Sequence, residues 1–421
     1  METERVIFTK EMKKDYTILL PTMLPMHFRL MARVLCSYGY KAELLENTDR
    51  KVIESGLKYV HNDTCYPASL IIGQFISALQ SGRYDVNKTA LLLTQTGGGC
   101  RASNYIPLLR KALKKAGLAQ VPVISLNISG LEKNPGFKLS FGFDKRLLYA
   151  VYYGDLLMSL TNQCRPYEKR TGMVAANTAA WVDKLADQLG EGKRVNYKQV
   201  RATYAEILRD YNAKFPRPAV RKPRVGIVGE IFVKFSPLGN NDLENFLVAE
   251  GAETVMAGLL DFLMYSVNTA VVDTRLYGMK KWRGRLMKWA YDYLHNKQLD
   301  FITLYRENST FTPPTDFEHT RAKIKGYINE GVQMGEGWLL TAEMLELIDS
   351  GVCNVVCTQP FGCLPNHIVG KGMMKVIKEK HPGVNLVAID YDSSASRINQ
   401  ENRLKLMLAN AAGQQSAEVS V

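Results

Sequence analysis

The sequence has no long hydrophobic run. None of its stretches reaches the roughly 20 uncharged apolar residues that a membrane-spanning helix needs. Its most apolar helical segment, Leu259 to Val272, is shorter than that and contains Asp261. The first residues are charged and lack the apolar core of a signal peptide. We therefore expect a cytoplasmic protein with no membrane partner.

Cysteine is scarce and its number is odd. Seven cysteines in a chain of 421 residues do not indicate a framework of paired disulfides. The sequence also lacks the CxxC pairs of zinc knuckles and the GxxxxGK(S/T) loop of P-loop ATPases. If ATP drives the activity of this protein, we expect it to be hydrolysed on a partner.

Positive charge is in excess but is not concentrated. The formal net charge is +13, from 54 basic and 41 acidic residues, and the basic residues are scattered apart from small groups such as Lys280 to Arg285. The sequence has no long tract of Lys and Arg with interleaved aromatic residues, so we expect no nucleic-acid partner. The excess favours a solvated face, or docking to an acidic partner or an anionic ligand.

Alternating strand and helix patterns occupy both ends of the chain. An apolar strand at 16–23 is followed by a helix at 26–37 and a short strand, which is the unit of a parallel sheet. Residues 140–215 have the pattern of long amphipathic helices, and a Pro- and Arg-rich linker follows at 215–225. We predict an α/β protein with two parallel-sheet lobes and a helical segment between them. The expected N-terminal lobe, helical segment with linker, C-terminal lobe and disordered tail are residues 1–140, 141–222, 223–410 and 411–421.

Further strands follow the same pattern. We expect strands at 89–96 and 121–128 in the first lobe, and at LDFITLY (299–305), CNVVCTQP (353–360) and NLVAIDYD (385–392) in the second. Some of these strands run directly into loops rich in cysteine, glycine and proline. Open α/β sheets bind ligands at the carboxyl ends of their strands, so two lobes facing each other with these edges would bring the loops together.

Four of the cysteines lie in such loops. Cys65 precedes Tyr-Pro, Cys100 follows three glycines, and Cys357 and Cys363 stand on either side of a Pro-Phe-Gly turn. Thiolates gathered from distant parts of an α/β chain are the usual means of holding an iron–sulfur cluster, and glycine lets the backbone approach it. Cys65 could instead be a small buried hydrophobe, Cys100 part of an anion-binding loop, and one of the last pair a substrate-facing thiol. The cysteines expected to have no role at the site are Cys36, Cys164 and Cys353.

Other residues near these loops are candidates for catalysis or for binding a cofactor. Glu230 and Lys234 lie just past a strand end, and they could be an acid and a cation for a substrate or a surface ion pair. His367 could donate a proton or a hydrogen bond, or it could pack or cap a helix. The residues bordering the cysteines could adjust the potential of a cluster through hydrogen bonds or charge. They are Gly98, Gly99, Arg101 and Gln359, with Glu336 as a weaker candidate.

Five segments together carry a family resemblance. In chain order they are NDTCYPASLIIGQF, TQTGGGCRASNYIPLLRKAL, GIVGEIFVKFSPLGNNDLENFL, CTQPFGCLPNHIVGKG and IDYDSSASRINQENRLKLML. On these motifs the chain resembles the 2-hydroxyacyl-CoA dehydratase superfamily over roughly residues 15–410. Within that superfamily it looks most similar to the dehydratase-like module of activator-fused proteins and to the double-cubane cluster proteins of anaerobes.

The resemblance implies a fold, a cofactor and partners. It implies two flavodoxin-like lobes with an iron–sulfur cluster between them, either a 4Fe–4S cluster or a larger one built from cubanes. It also implies a homodimer, and low-potential electrons supplied by a separate ATP-hydrolysing reductase that carries its own 4Fe–4S cluster. Cys65, Cys100, Cys357 and Cys363 match cysteine positions of the activator-fused modules, which implies that they are the metal ligands.

Two departures from the family leave the substrate open. The double-cubane proteins need more thiolates than the four in suitable loops here, and the dehydratases pair two different subunits. We expect an enzyme that applies low-potential electrons to reductive or radical chemistry on a small substrate, as an ATP-coupled reductase or a dehydratase-like lyase. The alternatives are a non-catalytic iron–sulfur electron carrier, a 2-hydroxyacyl-CoA dehydratase subunit, and a zinc-binding α/β protein.

Overall fold

Two parallel sheets form the framework of the protein. Its structure, a computed structural model, describes residues 5–95, 99–126, 132, 134–138, 140–190 and 195–419. Each sheet has four strands, and every neighbouring pair of strands is parallel. The prediction of an α/β fold with two flavodoxin-like parallel-sheet lobes is therefore confirmed.

The first sheet positions the first two cysteine loops. Its strands are β1 Thr17–Leu20, β2 Lys41–Leu44, β3 Thr89–Thr94 and β4 Val123–Leu126. They lie in the order β2-β1-β3-β4, so Ile18 of β1 is opposite Ala42 on one side and Ala90 on the other. Strand β3 is a run of buried apolar residues, as is usual for parallel strands covered by helices on both faces. The order in which strands are added to the sheet reverses between β1 and β3, because β2 lies on one side of β1 and β3 on the other. A ligand site is expected outside the carboxyl ends of β1 and β3.

The helices of the first lobe place Cys65 at a helix start. They are α1 Met12–Asp15, α2 Pro25–Ser37, α3 Arg50–Tyr59, α4 Tyr66–Gln80 and α5 Tyr105–Lys115, with 3₁₀ turns at Val86–Lys88 and Arg101–Asn104. Helix α4 follows Cys65 directly and has Pro67 in its first turn, where no backbone N–H is needed. A Cβ on Gly73 of α4 would lie 2.2 Å from the carbonyl oxygen of Val52 in α3. The two helices therefore pack backbone to backbone, which fixes the position of the Cys65 loop.

A helical segment follows the first lobe. It consists of α6 Phe141–Cys164, α7 Met173–Gln188 and α8 Tyr197–Lys214, with a 3₁₀ turn at Arg165–Tyr167. Helix α8 begins with a capping box, in which the side chains of Asn196 and Gln199 each accept a hydrogen bond from the other residue's backbone N–H at 3.0 Å. Buried aromatic residues on α6, such as Tyr149 and Tyr153, form much of the core of this segment.

The second sheet repeats the topology of the first. Its strands are β5 Arg224–Gly229, β6 Glu253–Val255, β7 Asn354–Pro360 and β8 Asn385–Tyr391. They lie in the order β6-β5-β7-β8, so the reversal falls between β5 and β7. The helices after β5 are α9 Ile231–Phe235, α10 Pro237–Asn240, α11 Leu243–Ala249, α12 Leu259–Tyr277, α13 Lys281–Asn308, α14 Phe317–Ala322, α15 Trp338–Asp349, α16 Met374–Lys380 and α17 Arg397–Val419. A π-helical turn at Asn366–Gly370 and a 3₁₀ turn at Lys371–Met373 lie between β7 and α16.

The expected strand at 299–305 is wrong, because these residues belong to helix α13. Leu294, Phe301 and Tyr305 repeat with helical spacing on the buried side of α13. The ring of Phe301 stacks on Tyr204 of α8, with centroids 4.4 Å apart. A short apolar run fits a strand or a buried helix equally well, and the packing against α8 decides for the helix.

The two lobes face each other with the carboxyl edges of their sheets. The backbone N–H of Tyr66 donates a hydrogen bond to the carbonyl of Phe361 at 3.0 Å, and the hydroxyl of Ser236 donates one to the carbonyl of Thr22 at 3.3 Å. The N–H of Gly99 lies 3.2 Å from the sulfur of Met334. These contacts join the segments after β1 and β3 and the start of α4 to the segments after β5 and β7 and the segment before α15.

Two further expectations concern membranes and the tail. In the part of the chain that the structure describes, no helix is long and apolar enough to cross a membrane. The backbone of residues 411–419 is helical and belongs to α17. The disorder expected of this tail stays a prediction. The division of the chain into domains also stays a prediction.

Candidate metal centre

Three of the four loop cysteines come together between the lobes. Cys65 meets the loop of Cys363, since a Cβ on Gly362 would lie 3.0 Å from the Cα of Cys65. Cys100 meets the same loop from the other side, since a Cβ on Gly335 would lie 3.3 Å from Pro365 and 3.9 Å from the sulfur of Cys100. The charge of Cys65 acts on Cys100, and the charge of Cys100 acts on Cys363. The expected meeting of cysteine loops therefore holds for these three.

Each of these three thiols lies at the start of a helical turn. The sulfur of Cys100 receives a hydrogen bond from the backbone N–H of Ala102 at 3.5 Å. The backbone of Ala68, at the start of α4, and that of Asn366, at the start of the π-helical turn, lower the pKa of Cys65 and of Cys363 and so offset part of the effect of burial. Backbone N–H groups at a helix start stabilise negative charge. The three positions thus suit thiolates or an anionic cluster.

Glycine is required where these loops approach one another. Gly335 and Gly362 have φ angles of +61° and +70°, in the left-handed region that other residues rarely adopt. A Cβ on Gly99 would lie 2.7 Å from the sulfur of Met334. Gly98, which the sequence also indicates, lies outside the described residues.

Burial makes the three thiols neutral in the metal-free protein. Burial, together with the negative charges of Glu336 and Glu230, raises the pKa of Cys100 to about 11. Burial also raises the pKa of Cys65 and that of Cys363. A metal displaces thiol protons when it binds, so loading this site would release protons to solvent.

Cys357 lies in a different environment from the other three. It is inside strand β7, and its side chain packs in a hydrophobic cluster with Val228 and Met344. Its thiol donates to the side-chain oxygen of Asn366 at 3.4 Å, and a Cβ on Gly370 would lie 3.3 Å from the sulfur. The charged groups that act on it are Asp390, Lys371 and Glu343, and none of the three clustered cysteines is among them. The structure therefore does not bring Cys357 to the group, and its role as a ligand stays a prediction.

Two buried carboxyl groups adjoin the cysteines. Glu230 follows β5 and accepts a hydrogen bond from the N–H of Val233 at 2.9 Å. Glu336 accepts one from the N–H of Ile231 at 2.8 Å, so both carboxyl groups lie at the start of α9. Burial raises the pKa of Glu230 to about 8, and the charge of Glu336 contributes to the rise. Burial likewise raises the pKa of Glu336. Groups with raised pKa values of this kind can hold a proton at neutral pH, as a general acid must.

Lys234 forms a buried ion pair rather than a surface one. Its ammonium nitrogen lies 2.9 Å from both carboxylate oxygens of Glu343 on α15, and the two side chains are 4% and 7% exposed. Lys234, Glu336 and Glu343 line a cavity of about 10 Å³, about the space that one water molecule needs. Lys234 is therefore held by a carboxylate and is not free to bind a substrate as a cation, whereas Glu230 remains available as an acid.

The other predicted residues border the site at different depths. Arg101 is exposed and lowers the pKa of Cys65 through its charge, after the larger effects of burial and hydrogen bonding. Gln359 is buried, and its amide oxygen has no hydrogen-bond partner among the described residues. His367 is exposed in the π-helical turn, four residues after Cys363. His367 therefore faces solvent near the Cys363 loop.

Sequence reasoning missed two tyrosines at this site. The hydroxyl of Tyr105, at the start of α5, lies 3.3 Å from the sulfur of Cys65. The hydroxyl of Tyr265 on α12 is buried without a hydrogen-bond partner among the described residues, and the charges of Glu336 and Cys100 both act on it. Tyr105 could have been found from its place five residues after Cys100 at a helix start. Nothing in the sequence around Tyr265 marks it.

Comparison with known proteins gives no assignment. No family model matches the chain, and no curated protein gives a significant match. Within the described ranges, no three His, Cys, Asp or Glu side chains converge closely enough to hold a single metal ion. Thiolates that bind different irons of a cluster need not converge on one point.

The stability of the metal-free protein should depend on the protonation of Glu230. A carboxyl group whose pKa rises from 4.5 to about 8 on folding stabilises the fold below pH 4.5, and this contribution is lost as the pH rises through about 8. We expect the free energy of unfolding to fall between pH 5 and 8, and Glu230→Gln to remove about 3 kcal/mol of that fall. Urea unfolding at several pH values measures it.

A matched control separates this effect from general titration. Glu54→Gln removes an exposed carboxylate and should leave the pH dependence unchanged. An equal fall with pH in the Glu230→Gln variant and the unmodified chain would show that Glu230 is not the group responsible.

Proposed function

We propose that this protein binds an iron–sulfur cluster through Cys65, Cys100 and Cys363 and uses low-potential electrons for reductive or radical chemistry on a small substrate. The observation that carries the proposal is the meeting of these three thiols. They come from loops on both lobes and lie together at the facing carboxyl edges of the sheets, each at the start of a helical turn. This is the position at which open α/β sheets bind ligands.

The donor set fits a cluster with one iron that is not bound by a cysteine. Three thiolates leave one iron of a 4Fe–4S cluster without a cysteine from this group, and the structure places Cys357 in the core of the second lobe. When bound, such a cluster supplies one-electron chemistry and an iron that can take a small ligand. Gly335 and Gly362 keep the space between the loops clear of side chains.

Two buried carboxyl groups of the chain can hold and donate protons beside the proposed cluster. Glu230 and Glu336 are buried next to each other, and at neutral pH a proton on Glu230 is favoured because its pKa is near 8. The Lys234–Glu343 pair holds α9 against α15 and so fixes the position of both carboxyl groups. We propose that Glu230 is the proton donor to the substrate and that Lys234 positions it.

Exposed apolar side chains lie in the segments next to the cysteines. Phe361, Leu364 and Ile368 belong to the loop and turn around Cys363, and they are 51%, 67% and 55% exposed. Met334, at 55% exposure, lies against the Cys100 loop. A bound substrate or a docked protein would cover these residues and exclude water, which protects low-potential electrons from side reactions.

The proposal includes two partners and a location. Because the sequence has no P-loop for ATP hydrolysis, we propose that the electrons come from a separate ATP-hydrolysing reductase with its own 4Fe–4S cluster. We further propose that the chain works in the cytoplasm, without nucleic acid, as a homodimer. The resemblance of the five motifs to the 2-hydroxyacyl-CoA dehydratase superfamily supports these proposals.

Iron and sulfide content, measured on protein purified without oxygen, tests the proposal. We expect about four irons and four sulfides per chain and a one-electron EPR signal after reduction with titanium(III) citrate. Protein that contains zinc or no metal under these conditions would contradict it. About eight irons would point instead to a larger cluster built from cubanes.

A second step separates an enzyme from an electron carrier. The reduced protein is mixed with candidate substrates, including 2-hydroxyacyl-CoA thioesters and small reducible molecules, and the EPR signal is followed. Conversion of one candidate supports the enzyme: the signal is lost if the candidate is reduced, and it is regained after turnover if the reaction is the redox-neutral loss of water. A signal that persists with no conversion of any candidate but disappears with an oxidised electron acceptor supports the carrier.

A further inference from the structure

An exposed apolar stripe runs along helix α13. Trp282, Leu286, Trp289 and Tyr293 are separated by four, three and four residues, which places them on one face of the helix. They are 65%, 49%, 67% and 36% exposed. The rings of Trp289 and Tyr293 stack with their centroids 6.2 Å apart. We call these four residues the α13 stripe.

Most of the α13 stripe lies outside the packing of α13 within the chain, and only Tyr293 at its end is more than half covered. The buried residues of the helix, such as Tyr291, Leu294 and Phe301, lie on its opposite side and pack on α8 and α12. A Cβ on Gly284 would lie 2.5 Å from the side chain of Thr274, so the hairpin of α12 and α13 is already closely packed there. Helix α13 therefore has one apolar face inside the protein and a second face outside it.

The size of the α13 stripe is that of an interface. At these exposures the four side chains present on the order of 500 Å² of mainly apolar surface. Tyr277, the last residue of α12, and Met279, in the turn before α13, are 65% and 52% exposed and extend the patch. A stable protein–protein interface buries about 800 Å² on each partner. The patch and the stems of its flanking basic residues together approach that area.

We propose that the α13 stripe is the interface between two copies of this chain, with the two α13 helices antiparallel across a two-fold axis. The helix is self-complementary about a centre between Met287 and Lys288. In this register Leu286 lies opposite Trp289 of the second copy, and Trp282 lies opposite Tyr293. Spacings of four and three residues are those with which one helix packs on another.

Charge also matches in this register. Asp292 lies between Lys281 and Arg285 of the second copy, because an antiparallel pair brings the same flank of each helix together, and the reverse contacts form by symmetry. Asp292 is the acidic residue beside the α13 stripe, where it accepts hydrogen bonds from Lys288 in its own chain. Arg283 lies on the other flank of the stripe and stays hydrated. An anionic membrane would favour bases alone and would be opposed by Asp292.

The proposal gives the homodimer of the proposed function a specific surface, but it does not depend on the metal. The residues of the α13 stripe are separate from the three cysteines and from Glu230. Iron content measured on the same samples therefore distinguishes a failure of the dimer from a failure of the cluster assignment.

Sedimentation velocity on the full chain at micromolar concentration tests the interface. We expect a dimer, and we expect Trp289→Glu to raise its dissociation constant by about thirty-fold or more, as the loss of a central aromatic residue does. Ile398→Glu is the matched control, because Ile398 is 68% exposed on α17, and it should remain dimeric. A monomeric unmodified chain, or a Trp289→Glu variant that stays as dimeric as the control, would overturn the proposal.

The register has its own test. Arg285→Glu should weaken the dimer by placing two acids opposite each other, and the combination Arg285→Glu with Asp292→Lys should restore it. A combined variant as weak as the single one would rule out the antiparallel register. A monomeric chain that binds vesicles of phosphatidylglycerol and phosphatidylcholine, with a blue shift in tryptophan fluorescence, would assign the stripe to a membrane surface instead and would overturn the proposal.

Discussion

Replacing Cys100 by serine is expected to remove at least about nine-tenths of the iron, since the loss even of an outer partner of a metal site lowers affinity by about tenfold or more. Cys65→Ser and Cys363→Ser should have the same effect, because each thiol is one of three that meet between the lobes. Iron and sulfide content and EPR of protein purified without oxygen measure the loss. Circular dichroism of the same samples shows whether the fold is retained.

Cys357→Ser is the informative control for this series. Cys357 packs with Val228 and Met344 in the second lobe, and its thiol bonds to Asn366. We expect the variant to keep its iron and to lose only a little stability, because serine can make the same hydrogen bond. If Cys357→Ser loses iron as completely as Cys100→Ser, the three-cysteine assignment is wrong and the four-cysteine set of the family resemblance is restored.

Lys234→Met is expected to have the largest effect on stability. The substitution leaves the carboxylate of Glu343 buried without its partner, and breaking a buried ion pair in this way costs about 3–5 kcal/mol. Removing both charges, in Lys234→Met with Glu343→Leu, should recover most of the loss because no unpaired charge remains. Urea unfolding of the metal-free chain measures both free energies.

A half-exposed pair provides the comparison for Lys234. Lys184 and Glu206 lie 2.7 Å apart with 56% and 52% of their side chains exposed, and Lys184→Met should cost less than about 1 kcal/mol. Equal losses for Lys234→Met and Lys184→Met, or a double variant no more stable than Lys234→Met alone, would show that the buried pair does not determine the stability of this region.

Local sequence signals were sufficient for the framework of the site. The strand β3 leads through glycines to Cys100 and then to α5, and this order alone places a thiol at the carboxyl edge of a parallel sheet. Cys65 before Tyr-Pro likewise predicts a helix start, and α4 begins at Tyr66. The expectation that facing lobes bring these loops together follows from the same rule, and the Tyr66–Phe361 hydrogen bond shows the contact.

The partners of these residues depend on contacts that the sequence does not contain. Lys234 pairs with Glu343, 109 residues away. The sequence could therefore predict an ion pair at Lys234, but it could predict neither the partner nor the burial of the pair. Cys357 has the Pro-Gly surroundings of a loop ligand, yet it is three residues before the end of β7. The alternation of side chains along that strand turns its thiol into the core. Tyr265 reaches the site only because α12 crosses beside α15.

Mössbauer spectroscopy of the iron-loaded protein tests the central claim most directly, because it distinguishes irons with different ligands. If Cys65, Cys100 and Cys363 alone hold a 4Fe–4S cluster, about one iron in four should differ from the rest and should respond to an added small ligand such as cyanide. The Cys357→Ser variant should give the same spectrum. Four equivalent irons that ignore cyanide, with a distinct iron appearing only after Cys357→Ser, would contradict the account and make Cys357 the fourth ligand.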